Sequence, residues 1–412
     1  MKLKRVYVPC PRSALHVQVH FAIIIYMNHT VVNTFSPLLQ TMVLSCQADV
    51  DFQSLNRCLS GLSVKELSAL GTATQEHGLF PLLNQALQNR KITAIDDTEK
   101  RKLKNAALRI TQYNIAMSAE LLQVMTLFKQ AELDALAFKG PALSQFAYGN
   151  ITLRQYGDLD ILVKKESLSQ ILTLLTERGY TPEIALTEEN MESFYHCVNV
   201  IGLYKGSVRI EIHWELLSKN YAVDWDISTL WSANEEVMIN QQHVMMLAFK
   251  NHLLYLSVHG AKHLFERMEW ICDIDRAVRS QEQIEWESLL SDAKALGVER
   301  MLLLSLSLAR EFFETPLPQK IEKKIQADPK IEPLISKIIA LYYTQKHQEK
   351  SPATFMLLWQ MQEKQSDRLR FLYRGLFAPK FDDFKFIQLP KPLAFLYPLI
   401  RPYRLITKYF YK

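Results

Sequence analysis

The spacing of apolar residues is helical over the first third of the chain and changes near residue 130. From 37 to 130, apolar side chains recur at helical intervals, as in the run Leu38, Leu39, Met42 and Val43. This spacing predicts four or five amphipathic helices, the last of them long. The polar stretch 91–102 is predicted to be a loop or the beginning of that long helix.

A pattern typical of strands alternating with helices follows. Residues 135–138 are apolar and predict a buried strand that ends in a turn at 139–141. A short helix is predicted for 142–148, and a second apolar strand for 157–163. The rest of the chain is organised around this strand, turn, helix and strand.

Further along, residues 167–178 have helical spacing and stop at Gly179, a residue typical of helix ends. Two β-like runs, 197–204 and 208–216, are separated by a glycine-containing turn and predict a hairpin. From 243 to 341 the pattern is helical again. Within that range, 316–333 contains several prolines and alternating charges and is predicted to be a linker.

Two carboxylates lie two residues apart at the beginning of the second strand. Side chains alternate along a strand, so Asp158 and Asp160 point to the same face. Like charges held side by side repel each other unless a cation neutralises them. Mg²⁺ is the natural candidate because it prefers oxygen ligands and leaves coordination positions open for phosphates. On the later strand, the same alternation places Arg209, Glu211 and His213 on one face.

Composition agrees with a folded, water-soluble protein. The chain has 412 residues, of which 48% are hydrophobic and 22% charged, enough for two or three domains. Its five cysteines are scattered without the spacing of a zinc site, which indicates reduced thiols in a cytoplasmic protein. The pair His259 and His263 is one helical turn apart, but histidines on a mostly apolar helix are more often core or cleft residues than metal ligands.

Both ends of the chain differ from the middle. Residues 1–36 fit no later pattern and are read as an extension, either a weak signal peptide or the result of a start codon assigned upstream of Met27 or Met42. Residues 364–412 contain eleven Lys/Arg and three Asp/Glu, a local net charge of +8, with twelve aromatic residues interleaved. This tail is predicted either to wrap the body with its aromatic side chains buried, the reading slightly favoured, or to contact anionic lipid headgroups, nucleic acid or an acidic partner.

Three motifs carry a resemblance to a known family: Lys139-Gly140-Pro-Ala-Leu143, Arg154-Gln-Tyr-Gly-Asp-Leu-Asp-Ile-Leu-Val163 and Glu211-Ile-His213-Trp214. Their order resembles the DNA polymerase β-type nucleotidyltransferase superfamily. They are most similar to an uncharacterised bacterial nucleotidyltransferase family with KGxxL, RxxGDxDxLV and (D/E)xHW elements. The resemblance extends from residue 37 to the C-terminus.

The resemblance implies an α+β fold in which a polymerase β-like mixed sheet core is flanked by N- and C-terminal helical domains. It also implies transfer of a nucleoside monophosphate, most simply AMP from ATP, with two Mg²⁺ ions. Asp158 and Asp160 would ligate both ions, and Glu211 would complete the catalytic site and help to deprotonate an acceptor hydroxyl. Lys139 and Gly140 stand where the superfamily has a phosphate-holding Gly-Ser pair, so Lys139 would supply a positive charge to the triphosphate.

Several alternatives stay open at the level of sequence. Asp158 is either a metal ligand or a turn cap, and Asp160 either a ligand or an exposed strand residue. Arg154 is either a surface charge or a bridge to Asp160 or to phosphate. His213 is either a cofactor contact or a half-buried neighbour of Trp214.

The predicted organisation is an extension (1–36), a helical region (37–130), the catalytic core (131–220), a helical domain (240–345) and a basic aromatic segment (346–412). The expected partners are a nucleoside triphosphate, an unknown small-molecule or macromolecular acceptor and, through the last segment, an anionic membrane surface on its cytoplasmic side. Nucleic acid is the less favoured partner. A non-catalytic nucleotide-binding or membrane-surface scaffold protein and an RNA-directed nucleotidyltransferase are the alternative functions.

Overall fold

A computed structural model describes residues 35–344 and 352–410. The predicted N-terminal extension therefore lies almost entirely outside the described residues. Among the described residues, five helices precede the first strand, where four or five were predicted, and the last of them is long: α1 Pro37–Ser45, α2 Phe52–Ser60, α3 Val64–Glu76, α4 Phe80–Leu87 and α5 Asp97–Gln130. Side chains of Ser36, Asp51, Ser63 and Asp96 accept hydrogen bonds from the first-turn amides of four of these helices and so define where they begin.

Seven strands form one mixed sheet in the order β3-β4-β5-β2-β1-β7-β6. Their bounds are β1 Ala135–Ala137, β2 Leu159–Val163, β3 Thr181–Pro182, β4 Val200–Lys205, β5 Val208–His213, β6 Asn234–Ile239 and β7 Gln242–Leu247. Four helices lie between them in the chain: α6 Gly140–Tyr148, α7 Leu168–Glu177, α8 Glu188–Cys197 and α9 Ile227–Ser232. The predicted hairpin is β4 and β5, which pair antiparallel.

The order of the strands brings distant parts of the chain together. β1 and β2 are antiparallel neighbours, whereas β2 and β5 run parallel with Asp160 paired to Glu211 in the register. Side chains that are paired across neighbouring strands point to the same face of the sheet. The structure thus places the acidic residues of two separate motifs side by side.

Two predictions for the region after the core are wrong. Residues 242–247 were expected to begin a helical domain, but β6 and β7 form a hairpin that extends the sheet, and β7 pairs parallel with β1 at Ala137 and Met246. The predicted linker 316–333 contains a helix, Gln319–Ala327, whose Ile321 and Ile325 are buried. Two buried apolar residues one turn apart are enough to hold this helix against its neighbours despite the adjacent prolines.

The remaining helices follow the sheet: α10 Phe249–Lys262, α11 Met268–Arg279, α12 Trp286–Leu296, α13 Glu299–Phe313, α14 Gln319–Ala327, α15 Ile331–Thr344, α16 Pro352–Met361, α17 Gln365–Phe377, α18 Phe381–Phe386 and α19 Tyr397–Phe410. Helices that precede the sheet in the chain share one apolar core with helices that follow it, including α11 and α13. A second core lies around the sheet itself and includes Phe384 and Tyr397 from the tail. The expected arrangement of a mixed sheet flanked by helical regions is confirmed.

The tail packs on the body through a minority of its aromatic residues. Phe371, Phe384 and Tyr397 are buried, while Tyr373, Phe386, Phe395 and Tyr403 are exposed. Within the described residues, no helix combines the length and the apolar character that crossing a bilayer requires.

Candidate active site

Asp160 lies at the centre of a cluster of charged side chains on the sheet. It is almost fully buried, and its Oδ1 lies 3.1 Å from Lys139 Nζ and 3.2 Å from His213 Nε2. Burial alone would raise the pKa of this carboxyl, but the Lys139 ammonium and the His213 hydrogen bond outweigh it and hold the pKa well below its usual range. Asp160 is therefore ionised at every physiological pH.

Glu211 and His213 extend from β5 toward Asp160. The two residues alternate along the strand, and His213 Nε2 lies 3.3 Å from Glu211 Oε2 as well as near Asp160. Burial opposes a charged imidazole, yet hydrogen bonds to both carboxylates raise the pKa of His213. The ring packs edge-on against Phe138, with centroids 5.0 Å apart. Its environment is thus more buried and more polar than the expected half-buried position beside Trp214.

Arg209 is the third residue of this face of β5. Its guanidinium lies 2.7 Å from Glu211 Oε1 and 3.7 Å from Asp158 Oδ2, with Glu183 a little farther away. Arg209 thus connects the carboxylate on β5 with the one that precedes β2. The sequence pattern had placed it on the correct face without giving it a role.

Asp158 has a different environment from Asp160. It precedes β2, its side chain is 35% exposed, and its nearest cationic partner is Arg209. Burial, together with repulsion from Asp160 and Glu211, raises the pKa of Asp158 to about 6. The two aspartates that the motif places side by side therefore differ: one is permanently ionised, and the other titrates near neutrality.

The donors that fit a metal ion are those of Asp160, Glu211 and His213. One ligand atom from each of these residues lies within 4.8 Å of those of the other two, and Asp160 Oδ2 is buried without a hydrogen-bond partner among the described residues. An orphaned buried carboxylate oxygen beside a second carboxylate and an imidazole suits a divalent cation. Two of the three expected ligands, Asp160 and Glu211, belong to this group, and His213 joins them; the expected third ligand, Asp158, lies outside this distance, and its role as a ligand stays a prediction.

Lys139 and Gly140 form the turn between β1 and α6. The Lys139 ammonium lies against the rings of Phe138 and Tyr255, and the nearby Asp160 charge raises its pKa despite the opposing effect of burial. Gly140 has φ of +54°, and a Cβ at this position would approach the Asp158 carbonyl oxygen to 3.1 Å. Only glycine lets the chain turn here while β2 passes so closely.

Helix α10 closes the other side of the cluster. Tyr255 lies beside Lys139, and burial raises the pKa of Tyr255 to about 12. Lys262, two turns further on, is close enough to be affected by Lys139, Glu211 and Asp160; burial and repulsion from Lys139 lower its pKa to about 8. Neither residue was recognised from the sequence, because no local pattern indicates which face of α10 approaches β1.

Arg154 lies away from the acidic cluster, so the expectation that it bridges Asp160 is wrong. It is buried rather than a surface charge, and its Nε and Nη2 donate to the two oxygens of Asp273 at 2.8 and 2.9 Å. The Tyr148 hydroxyl donates to the same carboxylate at 2.7 Å. This buried bidentate pair joins the loop before β2 to α11, and Arg154 therefore supports the site structurally.

His259 and His263 pack against each other and against Trp270 in tilted or edge-on arrangements, with ring centroids 5.0 to 5.2 Å apart. Burial lowers the pKa of both histidines, to about 4 for His263. Neither belongs to a group of potential metal ligands within the part of the chain that the structure describes. They line the core beside α11.

Comparison with known proteins agrees with this geometry. A family model described as an uncharacterised nucleotidyltransferase matches residues 64–314, more than half of the chain, and takes in all seven strands. The match is narrower than the range from residue 37 to the C-terminus over which the resemblance was expected. No curated protein matches the chain. Among solved structures, an antigenic nucleotidyltransferase-like protein from Paracoccidioides brasiliensis is similar, with 15% identity, 46% of this chain and 91% of that chain covered, and a TM-score of 0.28.

The fold is α+β, with a seven-stranded mixed sheet flanked by helices. The chain belongs to the uncharacterised nucleotidyltransferase family.

Proposed function

We propose that this protein transfers a nucleoside monophosphate, most simply AMP from ATP, to a hydroxyl or similar group of an acceptor, with the help of divalent metal ions. One observation carries the proposal: carboxylates from two parallel strands, Asp160 and Glu211, are paired in register and share a buried cluster with an imidazole. Structural reasons rarely bring two carboxylates together in a core, since their repulsion is unfavourable without a cation.

Asp160, Glu211 and His213 are the residues that would hold an ion, with Asp158 at the more exposed edge. A bound Mg²⁺ or similar divalent ion neutralises charge that develops on the transferring phosphoryl group. Mg²⁺ prefers oxygen donors, whereas an imidazole in the set also suits Mn²⁺. The two-ion arrangement implied by the family resemblance stays part of this proposal.

The triphosphate would lie against the positive side of the cluster. Lys139, Arg209 and Lys262 surround the carboxylates, and α6 begins at Gly140 without a capping side chain, so the amides of Gly140 and Ala142 would be offered to phosphate oxygens, whereas Pro141 has no N–H. These residues would orient the phosphates without reacting covalently, as phosphoryl transfer requires. Arg154 is removed from this set because its Nε and Nη2 donate to Asp273.

Removal of the acceptor proton is assigned to Asp158 rather than to Glu211. Glu211 is held ionised by its contacts with His213 and Arg209, which lower its pKa despite burial. The pKa of Asp158, about 6, is better matched to a general base at neutral pH, and its side chain is more exposed to an incoming acceptor. The contacts of the structure do not favour either the non-catalytic scaffold or the RNA-directed enzyme.

The proposal is tested by incubating the protein with each labelled nucleoside triphosphate, Mg²⁺ or Mn²⁺, and a cell extract, and by following label into any acceptor. Asp160→Asn and Glu211→Gln should abolish transfer, while Asp134→Asn, which changes an exposed carboxylate paired to Lys164, should leave transfer unchanged. Calorimetry should detect triphosphate binding that EDTA abolishes. Binding of equal strength with EDTA, or label transfer that survives Asp160→Asn, would contradict the proposed role of the cluster.

A further inference from the structure

The C-terminal tail exposes apolar side chains in regular stripes. On α17, Leu369, Leu372, Tyr373 and Leu376 are between 39% and 64% exposed. Their spacing of three, four and seven residues places them on one face of the helix. A helix on a protein surface normally turns such a face toward the core.

The last helix repeats this feature. Phe395, in the turn before α19, and Leu399, Tyr403 and Ile406 within it are between 52% and 68% exposed and lie three or four residues apart. Phe386 packs its ring against Tyr403 with centroids 6.3 Å apart, and it is also exposed. We call the two stripes and Phe386 the tail surface.

Arginines of the same helices are engaged by carboxylates of the protein. Arg401 and Arg404 turn inward to the buried carboxylate of Asp383, and Arg374 donates to the exposed carboxylate of Asp224 on the body of the protein. The two helices are also tied together, because Arg401 donates to the Gly375 carbonyl oxygen at 2.8 Å. Both helices thus expose an apolar stripe while these arginines hold them to the protein, through buried ion pairs in the case of α19.

From the exposed apolar stripes and the charge of the segment we propose that the tail surface docks onto an anionic lipid bilayer. Residues 364–412 carry a net charge of +8, and three of their lysines, Lys364, Lys385 and Lys391, are exposed. Exposed tyrosine and phenylalanine with flanking lysine are typical of segments that lie in the headgroup region. A second copy of the chain fits this surface less well, since two segments of charge +8 would be brought together.

The geometry of docking is peripheral. With 14 residues, α19 is about 21 Å long, shorter than the ~30 Å hydrocarbon core of a bilayer. The helix would lie in the plane of the interface with its apolar stripe toward the acyl chains, while Arg401 and Arg404 keep it attached to the protein. This inference does not depend on the proposed transferase activity.

The test uses the full-length protein and sedimentation with vesicles, either of phosphatidylcholine alone or with one third phosphatidylglycerol. Binding is expected to the anionic vesicles at low salt and to weaken as salt screens the lysines, since the Debye length falls to about 3 Å at 1 M salt. Leu399→Asn with Tyr403→Asn should weaken binding by at least about tenfold. Both residues are exposed, so the fold should survive, which circular dichroism would confirm.

The matched control is Val64→Asn with Ile115→Asn, which changes two exposed apolar residues away from the tail and should leave binding unchanged. The inference is overturned if the wild-type protein stays in the supernatant with anionic vesicles, or if it sediments equally with uncharged ones. It is also overturned if the control pair weakens binding as much as the tail pair does. Gel filtration tests whether a second copy of the chain binds the tail surface instead. If the wild-type protein is a dimer and the double variant Leu399→Asn with Tyr403→Asn is a monomer, the surface serves self-association and the inference is overturned.

Discussion

Replacing each of the paired aspartates by asparagine should have opposite consequences for stability. Asp160 is buried, and its carboxylate compensates the charge of Lys139 and lies within hydrogen-bonding distance of His213. Asp160→Asn would leave the Lys139 ammonium buried without this carboxylate. Removing one partner of a buried ion pair costs about 3–5 kcal/mol of the free energy of unfolding.

The distance in the structure supports this magnitude. At 3.1 Å, the attraction between Lys139 Nζ and Asp160 Oδ1 is ~5 kcal/mol for an effective dielectric constant of about 20. Asp158 differs because it is partly exposed and its pKa is raised by burial and by repulsion from Asp160 and Glu211. At pH 8, Asp158→Asn removes a repelled charge, so stability should rise or change by less than about 0.5 kcal/mol.

Urea unfolding at pH 8 in the presence of EDTA, followed by circular dichroism, measures both effects without a contribution from metal ions. A double-mutant cycle with Lys139→Met isolates the pair: Lys139→Met with Asp160→Asn should be less destabilised than the sum of the single variants by at least ~1 kcal/mol. The reasoning is refuted if Asp158→Asn and Asp160→Asn destabilise equally, or if the cycle gives no coupling.

Three further predictions follow from other parts of the structure. Gly78→Ala should destabilise the protein by more than Gly149→Ala, because both glycines have positive φ but only at Gly78 would the new Cβ meet Glu269, within 1.6 Å of its Oε2. An equal decrease of the melting temperature in the two variants would count against this contact. Burial is the main cause that raises the pKa of Glu269 from 4.5 to about 7, so folding favours the protonated form of this carboxyl. Protonated Glu269 therefore adds ~3 kcal/mol to the free energy of unfolding below pH 4.5, and this contribution is lost as the pH rises through 7. Glu269→Gln should therefore gain stability relative to the wild type over that range, and a constant difference between the two would contradict the assignment. Finally, Lys262, with its pKa lowered to about 8 chiefly by burial, should lose its charge between pH 7 and 9. Calorimetry should show triphosphate affinity falling over that range in the wild type but not in Lys262→Arg; the same fall in both would remove Lys262 from the binding site.

The main elements of the core could be predicted because their signals are local. Alternation of apolar and polar residues defined β2 and β5 and placed Arg209, Glu211 and His213 on one face, as the structure shows. Helical periodicity likewise indicated four or five helices over residues 37–130, where the structure has five. These signals depend only on residues within a few positions of each other, which is why a single sequence contains them.

The hairpin of β6 and β7 was missed for the opposite reason. Six-residue runs such as 242–247 contain too few residues to distinguish a strand from the beginning of a helix, and the neighbouring α10 is helical. In the folded protein, pairing with β1 stabilises residues 242–247 as a strand. The helix Gln319–Ala327 was missed because nearby prolines suggested a linker, while burial of Ile321 outweighs that signal.

By itself, the sequence determined which carboxylates, lysine and histidine belong to the motifs and toward which face of a strand each points. Only the tertiary structure decided their environments. Asp158 and Asp160 share one motif, yet one is partly exposed and the other buried against Lys139. Arg154 belongs to the same motif, but its partner Asp273 is 119 residues away, so the chain had to fold before its role as a structural support could be seen. The physical reason is that charge, burial and pKa depend on neighbours in space, whereas periodicity depends on neighbours along the chain.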